Sequence, residues 1–175
     1  LNESTPPVGK APWSDLPNIG NADFMPQRDS TRLIAAGDSR IQNLVLRNGS
    51  LWCAQTVFLP AGNATRSAVQ WWELNPSGTV VQFGRVEDPS NVRFFAFPSI
   101  AVNRNSDVLL GYSSFSAQDY PSAGYSFRFQ TDPANLLQSE IVYKAGEAPY
   151  FKVDSNTGLN SWGDYSATVV DSGND

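Results

Sequence analysis

Apolar runs and tight polar turns follow one another along this chain, and the same succession is written twice. Residues 42–58 read QNLVLRNGSLWCAQTVF, and residues 98–115 read PSIAVNRNSDVLLGYSSF. In each, a short apolar run (Leu44, Val45, Leu46; Ile100, Ala101, Val102) meets a polar turn and then a longer strand-like run. The turns at 47–50 and 103–106 carry Asn and Gly, which tolerate the positive φ of a short hairpin turn, so each copy predicts a β-hairpin. A third copy opens at Tyr165, placing Asn43, Ser99 and Ser166 in correspondence.

Extended outward, the pattern predicts strands over 42–46, 50–58, 67–74 and 79–86, then over 98–102, 107–115, 123–130 and 136–143, with polar breakers between them. The excess length of the second copy falls in an irregular loop at 145–163. A four-stranded unit repeated at about 40 to 55 residues is how a β-propeller blade is written, since one such sheet cannot cover both its faces alone. The expected fold is therefore all-β and β-propeller-like, with two four-stranded antiparallel blades plus the first strand of a third. A β-sandwich of two similar sheets is the alternative.

The expected organisation is an extended N-terminal arm over 1–40, blade 1 over 41–96, blade 2 with its long loop over 97–163 and the start of a third blade over 164–175. These form one structural domain, expected to be part of a larger propeller. Pro6, Pro7, Pro12, Pro17 and Pro26 bar a long helix or interior strand from the arm. Its one β-like piece, TRLIAA at 31–36, reads as an added outer strand. Leu44, Leu46, Leu51, Cys53, Ile100, Val102, Val108 and Leu110 are the expected core.

Composition narrows the function. A chain of 175 residues can bury about 70% of the surface it exposes when unfolded. Only 17% of residues are charged and 12% are aromatic, a balance of packed β structure. A net charge of −5 argues against nucleic-acid and membrane partners, which need a basic face. The absence of histidine removes the Ser/His/Asp triad and the commonest metal ligand. The lone Cys53 forbids an intramolecular disulfide. No run is long enough to span a membrane as a helix, no signal-peptide pattern opens the chain, and a start at Leu1 suggests a processed product.

The string Arg40, Ile41, Gln42, Asn43, Leu44, Val45, followed by the Asn48, Gly49 turn, resembles the opening blade of sialidase-like propellers, where Arg-Ile-Pro starts the innermost strand. Gln42 stands where that family has proline, and Pro98 keeps it in the second copy. Of the family's Asp-box between third and fourth strands, residues 74–81 retain only Gly78. The strings RNGSLW, PSIAVN, KAGEAPY and WGDYSATVVD are similar to those of large secreted bacterial proteins containing such propellers. The resemblance spans 40–171 and implies an extracellular, bacterial protein.

In a propeller the innermost strands start at the central mouth, so Arg40, Phe97 and Asp164 with Tyr165 are expected around one opening, with Trp162 beside them. The local alternative has Asp164 capping the preceding loop and Tyr165 packing between blades. A sialidase-type reaction needs several arginines, a tyrosine nucleophile, a glutamate and an acid. Arg40 alone stands where the resemblance puts one of these, and the loop expected to hold an acid, GNATRSAV, carries Arg66 and no carboxylate. No catalytic residue, resident metal or cofactor is therefore assigned.

Asp154, Asn156 and Asn160 alternate like a calcium loop, yet with one carboxylate they read better as an Asx-rich turn. Trp52, Trp71, Trp72 and Trp162 could stack sugars, but adjacent Trp71 and Trp72 must face opposite sides of one strand, which favours packing. The sequons at Asn2, Asn48 and Asn63 are read as chance. The expected function is a non-catalytic extracellular binding or scaffold module for carbohydrate or protein, and the alternative is a fragment of a sialidase-like glycoside hydrolase. Open sheet edges leave two outcomes: the favoured one is that the chain is a piece of a longer parent, and the other is self-association, with 31–36 and 165–170 completing one another's sheets between copies.

Overall fold

The computed structural model describes residues 12–14, 23–163, 165–173 and 175, and every regular element among them is a β-strand. The elements are β1 (Asp23–Met25), β2 (Ile34–Ala35), β3 (Leu44–Arg47), β4 (Ser50–Leu59), β5 (Arg66–Leu74), β6 (Val80–Val86), β7 (Arg93–Val102), β8 (Val108–Ser116), β9 (Ser122–Arg128) and β10 (Ile141–Lys144). They form a two-stranded sheet, β1-β2, and two four-stranded antiparallel meanders, β3-β4-β5-β6 and β7-β8-β9-β10.

Turn chemistry sets these elements. Arg47 pairs with Ser50, leaving Asn48 and Gly49 as a two-residue turn with φ of 49° and 80°. Both central residues of a type I′ turn need positive φ, which Asn and Gly supply. In the second sheet the corresponding turn is longer, and the Asn103 side-chain oxygen closes it by accepting from the amides of Asn105 and Asp107.

Register then decides the faces. Val45 lies opposite Trp52, and Ala54 opposite Trp71, so these side chains share one face of the first sheet. There Trp52, Ala54, Val69 and Trp71 pack against Phe95, Ile100, Val102, Val108, Leu110 and Tyr112 of the second sheet. The Trp52 and Trp71 rings stack 6.3 Å apart at an interplanar angle of 15°.

Leu44 and Leu46 correct the expected core. They sit on the opposite face of β3 from Val45 and are 58% and 67% exposed. Cys53, on their face but on a more central strand, is buried, and burial pushes its thiol up to about 11. Ile100, Val102, Val108 and Leu110 are buried as expected.

The second sheet repeats the first in the same orientation. Ala101 lies opposite Leu109, and Gly111 opposite Tyr125, so these occupy the places of Val45, Trp52, Ala54 and Trp71. That face points away from the first sheet, while Ile100, Val102 and Leu110 point toward it. The two sheets thus stack front to back, the front of one on the back of the next.

Three strand boundaries differ from expectation. β7 starts at Arg93 and runs through a bulge between Ala96 and Ser99, where Phe97 has φ 54°. β10 is shorter than 136–143 because Asn135 is engaged with β6 instead, its side-chain oxygen accepting from the Phe83 amide and its own amide donating to Gln82. Residues 165–170 belong to no strand.

They nevertheless follow β7 two residues for two. The Ser166 hydroxyl donates to the Phe97 carbonyl at 2.8 Å, and Thr168 Oγ1 lies 2.6 Å from Ser99 Oγ. β3 is tied to β7 in the same sense by Asn43 Nδ2 donating to the Ile100 carbonyl. The ends of these three segments also meet. Asn48 Nδ2 donates to the Asn103 and Arg104 carbonyls and to Ser106 Oγ, while Asp175 accepts from the Arg104 amide and pairs with Arg47.

Residues 31–36 do contain a strand, β2, but it pairs with β1 in a separate sheet instead of adding to the outside of a four-stranded one. Ile34 and Ala36 are buried with Met25, Phe58, Phe94, Phe97 and Phe115, and Ala35 bridges Ser161. Of the rest of the arm, Ser14 pairs with Phe58, and Trp13 covers Val57, Leu59 and Ala68 on the far face of the first sheet. The expectations for Pro6, Pro7 and Pro17 lie outside the described residues.

Candidate functional site

The approach to β3, the bulge in the middle of β7 and the start of segment 165–170 lie side by side and enclose a cavity of about 190 Å³. Arg40 and Gln42 come from the approach to β3, Phe97 and Pro98 from the bulge of β7, and Tyr165 from the third segment. Ala54 and Thr56 of β4 form the floor.

The bulge is what opens the wall. At φ 54° the Phe97 backbone turns its amide onto Thr56 Oγ1 at 3.2 Å, while its carbonyl accepts from Ser166. The Phe97 ring points the other way, into the cluster around Met25 and Ile34. A bulky residue held in the left-handed region requires such surrounding support, and it is worth noting where a site is sought. Gly37 shares the constraint. Its φ is 69°, and a Cβ there would come within 3.3 Å of the Phe97 ring.

Electrostatically, the cavity holds an internal ion pair. Arg40 Nε donates to Asp38 Oδ2 at 2.6 Å and the Arg40 amide to Asp38 Oδ1 at 3.0 Å. These bonds from Arg40 hold the Asp38 carboxyl below the usual carboxylate range against the opposing effect of burial. A carboxyl kept ionised does not donate a proton near neutral pH, so Asp38 is a poor general acid. What remains around the space is an amide (Gln42), two hydroxyls (Thr56, Tyr165), a fixed ion pair and the apolar Ala54 and Pro98. Such a lining suits hydrogen bonding to a neutral polar ligand.

The structure brings Arg40, Phe97 and Tyr165 to this one cavity, and Asp164 lies outside the described residues. Trp162 is elsewhere. Its ring packs edge-on against Phe115 and Tyr150, and its Nε1 donates to Ser113 Oγ. Trp52 and Trp71 are buried between the sheets, and Trp72 lies partly exposed on the opposite face. None of these four tryptophans lines the cavity.

Asp154, Asn156 and Asn160 do not converge on a cation. Asp154 Oδ1 accepts from the amides of Asn156 and Thr157 and from the Thr157 hydroxyl, which makes it the anchor of an Asx turn. Asn160 is fully buried, with its side-chain amide donating to the Leu33 and Tyr150 carbonyls and its oxygen accepting from the Lys152 amide. Among the described residues, no group of three or more Cys, Asp or Glu side chains is placed to hold a metal.

Asp38, Gln42 and Thr56 were not singled out from sequence. Asp38 carried a signal, an acid two residues before a cation in a turn-rich stretch, and Thr56 carried another, a hydroxyl inside an otherwise apolar strand. No protein family, curated protein or solved structure matches the chain.

Proposed function

We propose that this chain is a non-catalytic binding or scaffold module of an extracellular bacterial propeller protein, and that the cavity between Arg40, Thr56 and Tyr165 is the mouth at which it takes a ligand. The observation carrying this reading is the parallel run of β3, β7 and 165–170. The three are joined by side-chain bonds rather than a backbone ladder, and the approach to β3, the bulge of β7 and Tyr165 enclose one cavity. Inner strands of successive blades run side by side around an axis in this way, and the front-to-back stacking of the two sheets supports the same arrangement. A sandwich of two sheets does not need its repeats to face the same way.

The ligand class is a carbohydrate or a polar protein surface, since amide, hydroxyl and ion-pair groups line the space. The sialidase-like resemblance enters only through Arg40, whose guanidinium is paired with Asp38 within the chain. Screening the labelled protein on a glycan array tests the proposal. The expected result is selective binding that Arg40→Ala and Thr56→Val each weaken. Failure to bind any glycan overturns the carbohydrate reading. Turnover of fluorogenic sialosides, lost in Arg40→Ala, would replace the module by a hydrolase fragment.

A further inference from the structure

The centre of β4 and the turn before β3 give the mouth cavity a chemistry that narrows what it can hold. Its volume of about 190 Å³ equals roughly six waters at about 30 Å³ each, the space of one monosaccharide ring and not of two. Thr56 is the fixed point of its floor. The residue is 4% exposed, and its oxygen accepts the Phe97 amide at 3.2 Å. A hydroxyl that accepts still carries a proton to donate. Among the described residues no acceptor takes that proton, and Thr56 lines the cavity. A buried donor is costly to leave unpaired, so the cavity has to supply an acceptor oxygen, from water or from a ligand that displaces it.

Asp38 and Arg40 set an acceptor beside a donor and cancel in charge. A local turn fixes them, because the Arg40 amide and Nε both donate to the one carboxylate and Gly37 enters the turn at φ 69°. The two side chains carry about five N–H donors and about four acceptor sites, more than their mutual bonds use. Two adjacent hydroxyls match such a pair, one donating to the carboxylate and the other accepting from the guanidinium in charge-assisted bonds. A ligand carboxylate does not match it. Such a group meets the negative charge of Asp38 and has to compete with it for Arg40. At the rim, Tyr165 is 76% exposed and offers an aromatic ring to the C–H face of a pyranose.

We infer that the mouth binds a single uncharged sugar residue and discriminates against acidic ones. Adjacent hydroxyls of the sugar span Asp38 and Arg40, one of its oxygens accepts from Thr56, and Tyr165 lies against its ring. The inference rests on the reading of this cavity as the ligand site, and it selects the opposite of what a sialidase-like site would take.

The probes are the methyl glycosides of glucose, galactose and mannose, each titrated beside the corresponding uronic acid glycoside and followed by saturation-transfer NMR on the intact protein. Expected is saturable binding of at least one neutral glycoside, with its acidic counterpart at least about tenfold weaker. Thr56→Val weakens the neutral sugar about tenfold and Thr56→Ser retains it, both with the circular-dichroism spectrum of the unaltered chain. Asp38→Asn, which leaves the Arg40 charge uncancelled, shifts the preference about tenfold or more toward the acidic glycoside. Equal or tighter binding of the acidic glycoside by the unaltered protein would overturn the inference and leave the mouth as the ligand site. An unshifted preference in Asp38→Asn would also overturn it. Failure of every glycoside here and of every glycan on the array would instead remove the carbohydrate reading on which it rests.

Discussion

The two four-stranded sheets share one topology and differ in how they are buried. β4 is buried at eight consecutive positions, from Trp52 to Leu59, because the second sheet covers its front and Trp13 covers part of its back. β9 and the first six residues of β8 alternate between buried and more open positions because their fronts are largely uncovered there, whereas at Phe115 the front of β8 is closed by Trp162. The composition follows. β4 reads SLWCAQTVFL, close to a continuous apolar run, whereas β9 reads SAGYSFR with small polar residues on its covered side. Position in the stack, and not the sheet's own topology, decides how apolar a strand must be.

The sharpest test of this difference is substitution at matched positions. Trp71→Ala is expected to cost about 3–5 kcal/mol, since it empties the contact between the sheets. Tyr125→Ala, at the matching place on the open front, should cost well under half as much. Urea denaturation of both variants measures the pair, and equal losses would show that the fronts are equally buried in solution.

The backs offer the next comparison. Ile100 is fully buried against the first sheet, and its counterpart Leu44 is exposed. Ile100→Ala should cost about 2–5 kcal/mol, and Leu44→Ala should stay within about 0.5 kcal/mol of the unaltered chain. A large loss at Leu44, read from the same denaturation curves, would mean that the back of the first sheet is covered.

The smallest effect concerns the connection between the sheets. The Asp88 carboxylate accepts from the Ser90 hydroxyl and from the amides of Ser90, Val92 and Arg93, and these bonds hold it at about 2 rather than 3.8. Because the folded value lies below the unfolded one, the stability it contributes is fully present above pH 3.8 and is lost as pH falls through about 2. Asp88→Ala should therefore be less stable at neutral pH and lose less on acidification over that interval, as followed by thermal midpoints.

Much of this was legible in the sequence, for identifiable reasons. Turn residues are local, so Asn48 with Gly49 fixed a hairpin and both meanders emerged in order. Face assignment is not local. Leu44, Val45 and Leu46 are all apolar, and only pairing with β4 directs Val45 inward. The start of β7 was hidden behind Pro98, because the positive φ of Phe97 is imposed by Thr56 and Ser166 from distant parts of the chain. Of the candidate site, Arg40 and Tyr165 were accessible through the repeat, since corresponding positions in each copy arrive at one place. Asp38 and Thr56 join them only after folding. The β character of 31–36 was legible, but not its place, because its partners, Met25 and Phe115, are set by tertiary packing rather than by any pattern within the segment.

Asn48 carries a consequence on another timescale. It precedes Gly49, the sequence context in which an asparagine side chain most readily closes on the following nitrogen and is released as aspartate or isoaspartate. Here its side-chain nitrogen is the donor in three bonds that tie the turn of the first sheet to the turn of the second. Deamidation would turn that donor into an anion facing two carbonyl oxygens and a hydroxyl, so attraction to the carbonyls would become repulsion. The tie between the two hairpin tips is therefore also a chemical clock. Stored, aged protein should accumulate deamidation at this residue in peptide mapping, and the aged fraction should exchange the amides of 103–106 faster than fresh material.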